Sequence, residues 1–272
     1  MPMFQKTCYR IVVKVGTSTI THDNGSMNLK KMDELVRVLS DLHGYGHEVI
    51  LVTSGAIGIG VRKLSLPERP KELPMKQAAA AVGQCSMMHT YDTLFGEYNQ
   101  LVGQILLTDG DVDDPSRREH LSNTFEALLK TNVIPVVNEN DSVSSAEIET
   151  GQHKVLGDND TLSSIVAALC KADLLVLISD IDGLYDSDPK TNKDAKLIPE
   201  VRELSDEILN MAGGAGSAFG TGGMTTKLSA ARIAMSAGCD MVITNGARMS
   251  DLYDIVEGKP VGTRFIGKKE NG

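Results

Sequence analysis

The apolar positions of this chain follow two periods that alternate along its length. Tyr9–Val15 (YRIVVKV), Glu48–Thr53 (EVILVT), Leu101–Leu107, Val133–Asn138 (VIPVVN), Asp173–Ile178 (DLLVLI) and Asp240–Thr244 are short apolar runs. Such runs predict strands buried on both faces, as in a parallel sheet covered by helices. Between them, apolar residues recur at three- and four-residue steps. Met32, Leu35, Val36, Leu39 and Leu42 predict a helix over Leu29–Tyr45, with Gly44 and Gly46 ending it. Further helices are expected over Met75–Asn99, Ser116–Thr131, Thr161–Lys171, Asp206–Met211, Thr225–Ala237 and Met249–Glu257, and a last short strand near Thr263–Ile266. The alternation predicts an α/β fold, a three-layer αβα sandwich around a mostly parallel open sheet. No linker interrupts it. One domain is expected, with two lobes parting near residue 172: about 1–171 and about 172–272.

The connections carry the polar chemistry. Lys14 stands at the end of the first strand, just before Gly16-Thr17-Ser18-Thr19. Open α/β sheets bind ligands in the crevice beyond their strand ends, although a lone strand lysine also fits a snorkelling role. The second strand runs into Ser54-Gly55-Ala56-Ile57-Gly58, where Ser54 could cap a helix or bind a substrate. Asn138-Glu139-Asn140-Asp141 closes the fourth strand in the same way. Gly157-Asp158-Asn159-Asp160 opens a helix; capping accounts for Asp158, and Asn159 and Asp160 are candidates for ligand or lysine contacts. The glycine-rich stretch Gly213–Lys227 feeds a helix start with one cation, Lys227, at the junction. Glycines let main-chain N–H groups approach a ligand, and a helix N-terminus adds more of them, so such a corner suits phosphate. Alone, it also fits a flexible surface loop.

Other segments are more ordinary. Ser65–Pro74 holds three prolines and is expected as a loop. Asp109, Asp111 and Asp113 have the spacing of a calcium loop. Asp114 at the sixth position and His120 at the twelfth exclude it, leaving a solvated acidic turn. Ser142–Leu156 is expected as a hairpin walling or covering the pocket. The alanine- and methionine-rich helix Met75–Asn99 is a candidate subunit interface, so a homo-oligomer, dimer or tetramer, is expected.

Composition narrows the class. The 272 residues are 41% hydrophobic and 23% charged, ordinary for a globular protein. A net charge of −9 argues against a nucleic-acid partner, but not against nucleotides, which need only local cations. The first ten residues, MPMFQKTCYR, lack the apolar core of a signal peptide, and no run approaches a membrane span. Cys8, Cys85, Cys170 and Cys239 are widely spaced, which predicts reduced, buried thiols in a cytoplasmic protein and no metal site.

Neither a Walker A sequence, nor a dinucleotide glycine fingerprint, nor a protein-kinase signature is present. Yet glycine-and-hydroxyl corners, two corner lysines and an acidic helix start are the parts that phosphoryl transfer uses: they position two anions and neutralise the moving charge. The stretches VVKVGTS (Val12–Ser18), LVTSGAIGIG (Leu51–Gly60), VNENDSV (Val137–Val143), GDND (Gly157–Asp160), SDIDGLYDSDP (Ser179–Pro189) and GTGGMTTK (Gly220–Lys227) run in order along the chain. On these the sequence resembles the amino acid kinase family, and within it the branch that phosphorylates glutamate.

The resemblance implies ATP-dependent phosphorylation of the L-glutamate side-chain carboxylate, the first step towards proline, with Mg²⁺ carried by the nucleotide and proline as inhibitor. It implies an N-lobe for glutamate and a C-lobe for ATP. By the same resemblance, Lys14 and Lys227 stabilise the transferring phosphoryl group and Asp160 orients them. Ser54, Asp141 and Asn159 bind glutamate. Lys14, Ser179, Asp180 and the run Thr221, Gly222, Gly223, Met224, Thr225, Thr226 and Lys227 bind ATP. Ser179 stands where the family usually has Thr. Many members of this branch carry a C-terminal RNA-modification-type (PUA) domain; the chain stops at GKKENG, and none is expected. Proline is expected to act near Ser142–Leu156.

Overall fold

The computed structural model describes residues 8–143, 158–189, 191–212 and 223–268. Its elements are β1 (Arg10–Val15), α1 (Thr17–Ile20), α2 (Leu29–Gly44), β2 (Glu48–Val52), α3 (Ala56–Lys63), α4 (Leu73–Gly96), β3 (Leu101–Leu107), α5 (Asp109–Asp113), α6 (Pro115–Lys130), β4 (Val133–Glu139), α7 (Asn159–Leu169), β5 (Leu174–Ser179), β6 (Glu200–Val201), α8 (Asp206–Ala212), α9 (Met224–Ser236), β7 (Asp240–Asn245), α10 (Asp251–Val256) and β8 (Thr263–Phe265). All eight strands form one sheet in the order β3-β4-β2-β1-β5-β7-β8-β6. Each adjacent pair is parallel except β7 with β8.

The three expected layers follow from the period-2 geometry of the strands. On β1, Ile11, Val13 and Val15 point into a core shared with α2, α3, α4 and α10. Val12 points the other way, towards Phe125 of α6, Leu162 and Val166 of α7, and Leu228 and Ala231 of α9. Both faces are covered, which is why β5 can be buried at every position and apolar from Leu174 to Ile178.

Several expectations move. The acidic turn after β3 contains a helix, α5. Thr108 and Asp111 form a reciprocal capping box there, so the acidic side chains stabilise a helical turn rather than merely facing solvent. The long helix begins at Leu73, inside the expected loop, because Pro74 is tolerated in a first helical turn. Thr17–Ile20 is a short helix rather than a plain turn. The expected hairpin Ser142–Leu156 lies outside the described residues beyond Val143. Cys170 and Cys239 are buried thiols, and burial pushes the Cys170 thiol up to about 12. Cys8 and Cys85 are exposed instead. Among the described residues, no helix is long and apolar enough to cross a membrane.

This topology sets the site. β1, β2, β4 and β5 are neighbours and run the same way, so Val15, Val52, Glu139 and Ser179 end along one rim of the sheet.

Candidate active site

A cavity of about 600 Å³ opens along that rim. Its wall includes Lys14, Ser54, Asp141, Asn159, Asp160, Ser179, Asp180 and Lys227, so it gathers residues from four strand ends and two helix starts. Lys14 is next to last in β1, in register with Val52 of β2 and Leu177 of β5. Asp160 lies in the first turn of α7, where Asp158 caps the helix by accepting from the N–H groups of Asp160 and Thr161. Lys227 lies in the first turn of α9.

These three side chains form one ion cluster. Lys14 Nζ is 2.6 Å from Asp160 Oδ1, and Lys227 Nζ donates to Asp160 Oδ2 at 3.1 Å. Thr226 Oγ1 also donates to Oδ2, at 3.0 Å. Asp160 is 2% exposed and Lys227 5%. Burial acts to raise the Asp160 carboxyl, but the charges of Lys14 and Lys227 and their hydrogen bonds outweigh it and hold the group below its ordinary value. Asp160 is therefore a fixed anion holding two ammonium groups in the cavity wall.

Beside the cluster, the first turn of α9 starts at Gly223 without a side-chain cap, and the Thr226 N–H donates to Gly223 O at 3.2 Å; helix starts of this kind suit an anion. Gly223 is the N-cap residue. Met224 packs against the core and Thr225 is exposed, and neither is in the cavity wall. Thr221 and Gly222 lie outside the described residues. Ser179 Oγ donates to Asp180 Oδ1 at 3.1 Å, at the end of β5.

Next to β1, Ser54 is buried and its hydroxyl donates to Val15 O at 3.0 Å while accepting from Thr17 Oγ1 at 3.2 Å. Gly55 adopts φ +92, a left-handed turn that frees α3 to start at Ala56; a Cβ there would press on Thr17 Cγ2 at 3.2 Å. The first turn of α3 also lacks a side-chain cap and lines the cavity. Asn159 Nδ2 donates to Thr53 O at 3.0 Å, which fixes the amide's direction. Asn138 is 2% exposed and donates to Gln84 Oε1 at 2.9 Å.

Three residues here are not singled out by the sequence pattern. Thr17 sits in a short turn of hydroxyl residues that all look alike. Gln84 sits in an alanine-rich helix, where its only signal is being polar among Ala78–Cys85. Arg69 sits in a proline-rich loop without period, yet it lines the cavity. Among the described residues, no group of three or more His, Cys, Asp or Glu is placed to hold a metal ion.

Residues 9–245 match the model of the amino acid kinase family. The chain is 52% identical over 264 residues to "Glutamate 5-kinase" of Clostridium perfringens, covering 97% of each chain. It is 55% identical over 262 residues to the protein of that name in Clostridium tetani, covering 96% of each. Among solved structures, carbamate kinase from Giardia lamblia bound to AMP-PNP superposes with a TM-score of 0.66 at 18% identity, over 96% of this chain and 99% of that one. UMP kinase from Ureaplasma parvum does so with a TM-score of 0.64 at 14% identity, over 95% and 98%. At such identities these two structures speak for the fold alone.

Proposed function

The chain belongs to the amino acid kinase family, and from that premise we propose that it transfers the terminal phosphoryl group of ATP to the side-chain carboxylate of L-glutamate, the first step of proline biosynthesis. The observation that carries this reading is the Lys14–Asp160–Lys227 cluster in the cavity wall.

The acceptor is a carboxylate, already ionised at neutral pH, so the reaction needs no base. Its difficulty is electrostatic: an anion must approach a polyanion. In this reading Lys14 and Lys227 reach the migrating phosphoryl group from two sides, and Asp160 holds both nitrogens in place before substrate arrives. A carboxylate oxygen of glutamate forms a bond to the terminal phosphorus while the bond to the bridging oxygen breaks, and ADP leaves. The first turn of α9, Thr226, Ser179 and Asp180 take the nucleotide, which places ATP on the C-lobe. Ser54, Asp141 and Asn159 take glutamate on the N-lobe. The pinned amide of Asn159 presents its oxygen away from Thr53, and Asp141 offers a counter-charge to the substrate ammonium.

Mg²⁺ bound mainly through phosphate oxygens and water needs only one or two protein carboxylates. The described residues fit that requirement. Both Asp158 oxygens are engaged in capping, and Asp180 is the exposed carboxylate on the nucleotide side. Asp180 would hold the ion, which would supply positive charge against the phosphates.

Proline is expected to inhibit, as the end product of the route. A homo-oligomer is expected through α4, whose exposed face carries Ala78, Ala81 and Cys85, and light scattering measures its size. The test of the main reading is incubation with ATP, Mg²⁺ and a panel of amino acids, with acyl phosphate trapped as hydroxamate by hydroxylamine, with and without proline. Hydroxamate formed with glutamate is the expected result. Product only with another carboxylate, or none at all, would overturn it.

A further inference from the structure

The ion cluster leaves a charge unaccounted for at the glutamate end. Three cations, Lys14, Arg69 and Lys227, line the cavity against five acids: Glu139, Asp141, Asp158, Asp160 and Asp180. Both lysines are held by Asp160 and serve the phosphoryl group. L-Glutamate brings two carboxylates and one ammonium. The side-chain carboxylate goes to the lysines and the ammonium has Asp141. The α-carboxylate still needs a positive partner in a wall dominated by acids.

Arg69 is the remaining cation of that wall. No acid among the described residues forms an ion pair with it, whereas the other cavity cations are both paired. Its loop is also stiff. Pro67 and Pro70 bracket Glu68-Arg69, so φ is fixed at both ends and Arg69, preceding a proline, favours an extended backbone. The helices that bound the loop are locked together. A Cβ on Gly60 would lie 1.7 Å from Ala79 O, and one on Gly83 would lie 1.8 Å from Ala56 O. The loop between α3 and α4 therefore leaves and returns at fixed points. Arg69 shares the cavity wall with Ser54–Gly58, the uncapped start of α3, whose N–H groups favour the same kind of ligand.

We infer that Arg69 binds the α-carboxylate of the amino-acid substrate and is the residue that selects for a free α-carboxylate over a neutral group. The planar guanidinium can take both carboxylate oxygens at once. The assignment rests on the reading of glutamate as substrate.

The test compares Arg69→Gln and Arg69→Lys with the unaltered enzyme, on L-glutamate and on L-isoglutamine, which keeps the reacting side-chain carboxylate but has a neutral α-carboxamide. Arg69 is exposed, so the variants are expected to melt with the parent. Arg69→Gln should raise KM for glutamate about tenfold, the usual effect of losing one charge-assisted hydrogen-bonded pair at a solvent-accessible site. Its kcat and KM for ATP should stay within about twofold, and Arg69→Lys should fall between, since lysine keeps the charge but not the fork. With L-isoglutamine, scored as substrate or as competitive inhibitor, the substitutions should make no difference. An unchanged KM for glutamate, a parallel rise in KM for ATP, or an equal loss with L-isoglutamine overturns the assignment of Arg69 alone. If the unaltered enzyme fails to phosphorylate glutamate, the substrate reading falls and this assignment with it.

Discussion

Asp160 shows how much one buried carboxylate can organise. Its two oxygens face different lysines, and those lysines come from positions 213 residues apart in sequence, 14 and 227. Replacing Lys227 by Met keeps most of the side-chain volume and removes one donor. The fold is expected to survive while kcat falls roughly 10²-fold or more, the usual scale for losing a preorganised charge-stabilising group. Steady-state kinetics beside a thermal melt checks this, and near-normal turnover would remove Lys227 from the mechanism. Asp160→Asn tests the electrostatics differently. The folded carboxyl titrates below its ordinary value of 3.8, so the unfolded chain takes up a proton first as pH drops. Asp160 thus adds stability above that value, and the contribution fades as pH falls through the lower, folded value. The stability gap between the parent and Asp160→Asn, from urea unfolding, should be flat at neutral pH and narrow below about pH 4. A gap that is independent of pH would mean that the carboxylate is not held by its lysines. Lys14 is legible in the sequence because it interrupts an apolar run at a strand's end, Asp160 because it stands in an acidic helix start, and Lys227 because it closes a glycine-rich stretch before a helix. Gln84 and Arg69 are not, because an alanine-rich helix and a proline loop have no pattern for a functional residue to interrupt.

At the scale of elements, the glutamate end depends on how closely α3 and α4 approach. Gly83 lies in α4 with its Cα against Ala56 O, the first residue of α3. A methyl group there would come within 1.8 Å of that carbonyl, which is backbone and cannot rotate away. Gly83→Ala gains helix propensity, worth up to about 1 kcal/mol. The clash forces the helices apart at a cost of typically 1–3 kcal/mol or more. The net effect is expected to be destabilising, and, because α3 begins at the cavity, KM for glutamate should rise while KM for ATP stays the same. A variant as stable as its parent, with unchanged KM, would show that the two helices can separate without moving the site. The existence of both helices is legible from apolar period and alanine content. Their contact is not, since a glycine inside a helix reads only as a weak position until the facing carbonyl is known. The same limit hides β6, a two-residue strand whose only support is pairing with β8, more than sixty residues on. The α5 turn is an intermediate case: the Thr108-to-Asp111 spacing of a capping box is in the sequence, but the acidic run reads equally as a solvated loop.

At the scale of the whole molecule, the two expected lobes share their central strand. β1 pairs with β2 on one side over Arg10 to Lys14 and with β5 on the other over Ile11 to Val15. Separating a glutamate-side half from a nucleotide-side half would strip β1 of one complete ladder and open both apolar layers, because α2 and α4 share one core with β5 while α6 and α7 share the other with α9 and β7. Opening there would expose buried backbone groups along a central strand, each costly when left without a partner. Arg10 reinforces the join at the far end of the strand: its N–H donates to Asp173 of the second half, and its guanidinium reaches Glu48, Glu126 and the carbonyl of Cys170. Chains longer than about 150 residues often unfold in stages. Here the shared strand predicts one cooperative transition. Far-UV circular dichroism and tyrosine fluorescence (the chain has no tryptophan) should give the same urea midpoint, although Tyr91 and Tyr98 lie on the glutamate side and Tyr185 and Tyr253 beyond residue 172. Two separated midpoints would show that the halves are independent folding units. The lysines they contribute would then be assembled by docking of two bodies, rather than set in place by a single sheet.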